Sequence, residues 1–494
     1  MRYNRLYRET NYLTPTLYTQ QLSEYTQELR YEDLPAQVVE RVKLILLQTV
    51  GAALAAGQTE IAGRVRVMGR QANGGLGGPT TVWGSGERLA APHGALILAT
   101  LADTLSWEPC SPTGNPAACA IPCAWLAAEE RHKSGKDLIA AIVAAFEVYG
   151  RIAMAVQPSE QRWAQKGWGK KNWAIFSAIL PVAKLYGLNA RRINQAIGVG
   201  CECSTLPTDY AQTTLSDFSH YEYGYRARDG FMITKAVEKG IHNQRDALDD
   251  PRCYTGIVCG DESANGDDET TIHADESDLC WLTKGLGESY LILDTILRQF
   301  PGDIWVQSGA ELAREIQRTH PFRCEQVERI VVDPPVEGRM WSPTGGMSSD
   351  LQAQCSIPFV IASVLAAPVP GAQWYSPQQL GDREVLELAG KVQAGTSPER
   401  TVCASYKAYQ QGGYPGQAVT VCLKDGTQYR AQTDCPIGCP KNLPDAQAAQ
   451  ALFCCQAGEV LAQDAARRAA ETLFSIEACP DIACLSGLLG SGVV

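Results

Sequence analysis

Residues 136–156 read KDLIAAIVAAFEVYGRIAMAV, and from Leu138 to Val156 only Glu147 and Arg151 carry charge. A helix that is apolar almost all round has no face to give to solvent and needs neighbours on every side. A bilayer span needs about 20 predominantly apolar residues, and these two charges interrupt the run. The stretch therefore reads as the buried helix of a larger helical domain.

The neighbouring segments supply such a domain. Asp33 and Pro35 form a helix start signal, a capping residue followed by an early proline. Val38, Val42, Ile45, Leu46 and Thr49 then recur at helical spacing, with Gly51 beyond them. Further helices are expected at Ala90–Leu105, Ala117–Glu130, Ala174–Tyr186 and Ala190–Gly200. The pattern changes after about Ser289. Val327–Val332 reads as a strand ended by Asp333-Pro334-Pro335. Val419, Val421 and Leu423 alternate, Asp425-Gly426 follows, and Tyr429 and Ala431 alternate again, which predicts a hairpin with a two-residue turn. From Ala446 to Leu489 helical character returns. The expected fold class is mainly α. A large all-helical domain is formed by both chain ends, 1–292 and 437–494, with a smaller α+β lid domain, 293–436, inserted between them.

The 494 residues are 45% hydrophobic and 20% charged, which is ordinary globular composition. A net charge of −11 argues against nucleic acid as a partner. The opening MRYNRLYRETNYLTPTLY has no apolar signal core, so a cytoplasmic protein with no membrane association is expected. The 18 cysteines are then expected to be reduced thiols. Cys119/Cys123, Cys201/Cys203, Cys435/Cys439 and Cys454/Cys455 lie close in sequence. No His accompanies them, so small buried residues are a better reading than a metal site. Asn73–Gly78 is glycine-rich without a phosphate-loop ending. The acidic run from Asp261 to Asp278 lacks calcium-loop spacing. Both read as loops.

Several longer pieces carry a family resemblance. They are LPAQVVERVKLILLQTVGAALAAG (34–57), VWGSGERLAAPHGALILATLADTL (82–105), NPAACAIPCAWLAAEE (115–130), SGKDLIAAIVAAFEVYGRIA (134–153) and KGWGKKNWAIFSAILPVAKLYGLNARRINQAIGV (166–199). They continue with YGYRARDGFMITKAVEKG (223–240), LRQFPGD (297–303), WSPTGGMSSDLQAQCSIPF (341–359) and VTVCLKDGTQYRAQTDCPIGCPKN (419–442). In this order they resemble the MmgE/PrpD family, which includes 2-methylcitrate dehydratases, cis-aconitate decarboxylases and iminodisuccinate epimerases. The resemblance implies a helical domain with an α+β lid and the site between them. It also implies a homodimer and a small-molecule substrate, with no metal or organic cofactor. The implied chemistry is proton abstraction beside a carboxylate, then loss of water or carbon dioxide, or reprotonation.

Against that pattern, the chain is altered where the family carries its site. The family stretch LDFDDTxxxxxHPS becomes Leu105-Ser106-Trp107-Glu108-Pro109-Cys110 and ends at Asn115-Pro116. Ser106 stands at the Asp position and Asn115 at the His position, with one residue deleted. A second family His follows Gly-Trp; here Trp168 is followed by Gly169, Lys170 and Lys171. Ser219 or His220 stands where a family Lys is expected, and Arg298 replaces another. Asp and His shuttle protons near neutral pH, whereas Ser and Asn do not. Arg keeps its charge and can pair a carboxylate but is a poor base.

Three readings follow. The first is a repurposed enzyme. His220, Glu108, Tyr223, Lys171 and Asp209 are then the candidate proton-transfer groups. Arg298, Ser106, Trp107, Asn115, Trp168, Lys170 and Tyr210 are the substrate contacts. Trp107, Trp163, Trp168, Trp173, Tyr210, Tyr221, Tyr223 and Tyr225 make the site segments aromatic and favour a substrate bulkier and less anionic than citrate. The plain alternative for these rings is core packing. The second is a conventional dehydratase-like or decarboxylase-like lyase, with Glu108 as the replacement carboxylate and Lys170 as the cation. Otherwise Glu108 is a solvated loop carboxylate and the two lysines are an exposed pair. The third is a non-catalytic binding or partner subunit. An enzyme requires the segments around Ser106, Gly169, His220 and Arg298 to converge on one pocket.

Overall fold

The computed structural model describes residues 17–156, 172–204, 216–243, 246–249, 253–259, 279–342, 347–367, 369–401 and 416–490. Lys170, Lys171, Trp163, Trp168, Gly169, Asp209, Tyr210 and the whole acidic run Asp261–Asp278 lie outside them. The described chain is mostly helical with a small sheet.

The helices that organise it are α1 Tyr18–Glu28, α2 Ala36–Ala55, α3 Glu60–Ala72, α4 Ala91–Thr104, α5 Ala117–Glu130, α6 Gly135–Val156, α7 Ala174–Leu185, α8 Ala190–Cys203 and α9 Glu222–Glu238. After them come α10 Gln307–Thr319, α11 Ile357–Ala366, α12 Arg383–Ala389, α13 Ala446–Ala457 and α14 Gln463–Phe474. The stretch that predicts the fold is α6. It is long and apolar enough to cross a membrane, yet it is buried within the protein. It packs on α1, α2, α5 and α7.

The two charges of α6 are explained by where they point. Arg151 Nη1 donates to Glu147 Oε2 at 2.6 Å, one turn apart and both buried. Glu147 also accepts the backbone N–H groups of Leu291 and Ile292 at 3.0 and 2.9 Å. Arg151 Nη2 donates to the carbonyls of Gly285 and Ser289 at 3.0 and 3.1 Å. A buried ion pair is tolerable when most of its remaining hydrogen bonds are filled, and here only Arg151 Nε is left without a partner among the described residues. The pair thereby ties residues 285–292 to the core helix.

Helices from both ends of the chain meet: α13 and α14 pack on α2. Asp33 does not cap α2. Its carboxylate accepts the Arg30 N–H at 3.0 Å and closes a short 3-10 turn, leaving Pro35 at the cap. The helix runs on past the periodic residues and includes Gly51.

The sheet uses β3 Val327–Asp333, β4 Val392–Ala394, β5 Gln417–Leu423 and β6 Gln428–Thr433, after a separate short pair, β1 Thr80–Thr81 with β2 Arg88–Leu89. Its order is β4-β3-β5-β6, with β4 parallel to β3 and the other pairings antiparallel. Ile330 lies opposite Val421, and Val332 opposite Val419. Helix α10 packs on β5 and β6, and α11 on α10. The predicted hairpin is present, but its turn is longer than two residues. Leu423 N–H bonds to the Thr427 carbonyl at 2.8 Å, and Gly426 N–H to the Leu423 carbonyl at 3.0 Å. Of the loop Lys424-Asp425-Gly426, only Gly426 takes positive φ, at +91°. A two-residue type I′ turn requires positive φ at both central positions.

Two cysteine expectations divide. Cys119 and Cys123 are buried on α5, and their thiols face the carbonyls of Tyr223 and Ala227 on α9, as small packing residues. Cys435 and Cys439 instead form a disulfide, against the expectation of reduced thiols throughout. The turn between them brings their Cα atoms to 6.1 Å, within bridging range.

Candidate active site

The site grows from the end of α4. The helix stops at Thr104, and Ser106 adopts left-handed backbone, φ +46°. For a residue with a Cβ this conformation costs on the order of 1 kcal/mol and needs support from its surroundings. The support comes from a distant segment. Ser106 Oγ donates to Gln354 Oε1 at 2.8 Å, and Gln354 Nε2 donates to the Thr104 carbonyl at 2.9 Å. The Ser106 carbonyl accepts Arg298 Nη1 at 2.6 Å.

Arg298 is fixed from its own backbone. Its N–H donates to Gln48 Oε1 at 3.1 Å, and its carbonyl accepts Gln48 Nε2 at 2.5 Å. Its guanidinium is buried and reaches Glu108 Oε2 at 3.4 Å. Asn115 Nδ2 donates to the other carboxylate oxygen of Glu108. Glu108 is thus no solvated loop carboxylate; it is fully buried.

Burial pushes the Glu108 carboxyl well above the usual carboxylate range. Arg298 pulls it down, but Nη1 is nearer the Ser106 carbonyl than the carboxylate, and Asp103 pushes the same way as burial. Arg298 shows the opposite balance. Burial disfavours its charge, while Glu108 and its other neighbours more than restore it. The consistent state is a charged guanidinium beside a carboxyl that holds its proton readily. Tyr223, buried at the start of α9, is raised well above its ordinary value by burial, then by Tyr149, Asp103 and Glu108. It is a neutral phenol rather than a base.

His220 stands apart from this cluster. It ends the 3-10 turn Asp217–His220 and presents Nε2 to Asp350 Oδ1 at 3.2 Å. Burial raises the Asp350 carboxyl, but the hydrogen bond and charge of His220, with backbone N–H groups, hold it below the usual range. His220 and Asp350 line a cavity of about 440 Å³ together with Leu105, Tyr221, Tyr375 and the start of α3. Clefts of about 490 and 530 Å³ lie elsewhere, so volume does not single this one out. Its His–Asp pair does.

One short helix, Asp350–Gln354, joins the two groups. Residues four apart share a helix face. Asp350 meets His220, and Gln354 meets Ser106. Leu105 lines the cavity and directly precedes Ser106. Ser106 and Arg298 therefore meet directly, and His220 is linked to them through this helix.

Among the remaining expected contacts, Trp107 is fully buried and lines none of the three clefts. Trp173 is buried and donates its indole N–H to the Thr113 carbonyl at 3.0 Å, so it packs. Tyr225 faces Phe218 and Arg228. Reasoning from sequence missed Asp350, Gln354, Gln48 and Asp103. The first two stand four apart within 341–359, a segment already noted for its resemblance, and that spacing was the available signal.

Both halves of the chain match known family models. The MmgE/PrpD N-terminal domain matches residues 20–266, and the MmgE/PrpD C-terminal domain matches residues 300–476. A cis-aconitate decarboxylase of Aspergillus terreus is 22% identical over 506 aligned residues, covering 96% of each chain. A cis-aconitate decarboxylase-like protein, oryM, of Aspergillus oryzae is 21% identical over 504, covering 95% of this chain and 97% of the relative.

Proposed function

Since the chain belongs to the MmgE/PrpD family, we propose that it is a divergent lyase or isomerase performing cofactor-free proton transfer on a carbonyl or carboxylate compound bulkier than citrate. The observation that carries this reading is the His220–Asp350 pair on the cavity wall, joined through the helix Asp350–Gln354 to Ser106 and from there through Arg298 to Glu108. Glu108 is a buried carboxyl that retains its proton, suited to a general acid. His220 lies on the cavity, with Nε2 turned to Asp350. His220 removes a proton beside the substrate carbonyl. For Glu108 to return one to the leaving group or to the adjacent carbon, the substrate must reach past Leu105 and Ser106, since Glu108 is fully buried and lines none of the three clefts. The outcome is elimination, isomerisation or cyclisation. Arg298 and Asn115 act as positioning residues by holding Glu108, and Ser106 orients Arg298.

A conventional decarboxylase or dehydratase is the second reading. Similarity to cis-aconitate decarboxylase along nearly the whole chain favours it. We also propose a cytoplasmic homodimer, with residues 1–292 and 437–494 as the helical domain and 293–436 as the lid. The deciding experiment incubates the protein with cis-aconitate, citrate and 2-methylcitrate in heavy water and follows product mass and deuterium uptake. Loss of carbon dioxide or water supports the second reading. Absence of both turnover and exchange with these three, and with bulkier carbonyl compounds, would leave a non-catalytic subunit.

A further inference from the structure

We propose that Cys435 and Cys439 form a redox-operated clasp. Oxidised, the pair fixes the strip 296–298 that carries Arg298; reduced by a dithiol, it releases that strip. That the clasp regulates chemistry rests on the reading of the site given above, whereas the clasp itself does not.

The bond spans a sequence separation of only 4, between a half-buried Cys435 and a buried Cys439. A cross-link that closes so short a loop restricts the unfolded chain least, so this one is poorly placed to staple the whole fold. In a reducing compartment, such as the cytoplasm proposed for this chain, protein disulfides act as transient, responsive bonds. What this one holds is local. Gly438, inside the ring, takes left-handed backbone at φ +99°, and a Cβ there would run into the Leu297 carbonyl. Its N–H donates to the Asn442 carbonyl at 2.8 Å, and its own carbonyl accepts the Leu297 N–H at 2.8 Å. One residue earlier, the Ile437 N–H donates to Glu311 Oε2 on α10 at 2.8 Å.

The strip at Leu297 leads straight to the buried pair. Ile296 and Cys110 exchange backbone hydrogen bonds of 2.7 and 2.9 Å, Gln48 holds the Arg298 backbone, and Arg298 reaches Glu108. Glycine has the most conformational freedom to lose on ordering, and the ring removes part of it in advance. With the ring open, the contact to Leu297 must order Gly438 unaided, and the strip loses one of its holds. In the reduction, one thiolate of the dithiol attacks Cys435 Sγ, the S–S bond breaks, and Cys439 leaves as a thiolate that takes up a proton. The second thiol then displaces Cys435, which is protonated in turn, and the reductant departs as a cyclic disulfide. Two electrons and two protons pass to the pair.

The test is backbone hydrogen exchange read by mass spectrometry on the full chain, in dithiothreitol and in oxidised glutathione. Peptide masses without reductant report whether the bond is present. The expected result is a Cys435–Cys439 bond in oxidised glutathione, whose own disulfide takes up the two hydrogens. Reduction should then speed exchange at least fivefold in peptides covering 293–299 and 106–111, and leave 135–156 unchanged. The double variant Cys435→Ser/Cys439→Ser should exchange like the reduced protein in both buffers. A pair that stays reduced in oxidised glutathione overturns the proposal, as does equal exchange in the two states. So does a response to dithiothreitol that survives in the double variant, because it would belong to other cysteines. The readout needs no substrate. A chain whose two states differ but which turns over no compound would lose the lyase reading while keeping the clasp.

Discussion

Glu108 Oε2 lies 3.4 Å from Arg298 Nη1, with both side chains buried, in a protein whose relatives are named for an acid substrate. The two partners are not equivalent. A guanidinium cannot shed its charge in a protein, whereas a carboxyl can take up a proton. Removing the carboxyl takes an acceptor from a buried cation that cannot neutralise itself, and Glu108→Leu is expected to cost about 1–3 kcal/mol. Arg298→Met should cost less, because Glu108 then stays neutral. Urea melts of both variants at pH 7 check the order. Equal costs would mean that the carboxylate is ionised and depends on the arginine as much as the reverse.

The same carboxyl sets a pH dependence. Its folded value is raised to about 8, above the ordinary 4.5. Between those values the unfolded chain has released a proton that the folded chain keeps, so this group's contribution to stability falls as pH rises. The largest slope for one proton is about 1.4 kcal/mol per pH unit. In Glu108→Gln this slope should vanish. The stability difference, wild type minus variant, should shrink between pH 5 and 8. A difference that grows with pH would show that Arg298 holds Glu108 ionised.

Ser106 and Gln354 form a second testable pair. Gln354→Ala removes both the acceptor of the Ser106 hydroxyl and the donor to the Thr104 carbonyl. The expected cost is about 1–3 kcal/mol, since buried polar partners are left unsatisfied. Ser106→Gly relieves the left-handed backbone while losing the hydroxyl, so its own cost should be small. A double-mutant cycle should show coupling of at least about 0.5 kcal/mol. Strict additivity would mean that the two residues do not support one another.

Much of the helical plan was legible because long periodic or apolar runs determine it locally. The bounds of α5 were read to the residue, and the charges in α6 already argued for a core helix. Finer detail failed where a partner elsewhere decides. Asp33 resembles a cap, but the Arg30 N–H claims it. Asp425-Gly426 suits a two-residue turn, yet the chain closes it over three. At the site, the choice between Glu108 as a site carboxylate and as a solvated loop carboxylate stayed open, because its burial depends on residues far along the chain. Ser106 and Gln354 are separated by 248 positions, and His220 and Asp350 by 130, so no local pattern joins them.

Gly51 gives a prediction opposite in sign to helix propensity. Alanine in a helix interior ordinarily gains about 0.5–1 kcal/mol over glycine. Here an added Cβ would run into Gln456 Oε1 and lie 3.0 Å from its Cδ, where α13 crosses α2. Gly51→Ala is therefore expected to destabilise by roughly 1–3 kcal/mol through overpacking. Adding Gln456→Ala should recover most of that loss. If Gly51→Ala stabilised the protein, the Gln456 side chain would swing clear of the added methyl rather than being held against α2.

His220 and Asp350 should separate by magnitude. If the imidazole is the base, His220→Gln should cut deuterium exchange into a substrate by about 10²–10⁴-fold. Asp350 touches the reaction only through His220, so Asp350→Asn should lower kcat by less and leave KM nearly unchanged. An amide can accept from or donate to Nε2, so it no longer fixes which ring nitrogen carries the proton. The acid side offers a second check. The folded Asp350 carboxyl lies below its ordinary value, so its contribution to stability is present above about pH 4 and is lost as pH falls further. Without the imidazole that contribution should disappear, and His220→Gln should lose stability less steeply on acidification than the wild type. Unchanged exchange in His220→Gln, with an unchanged acid profile, would remove this pair from the chemistry and return the base to residues outside it.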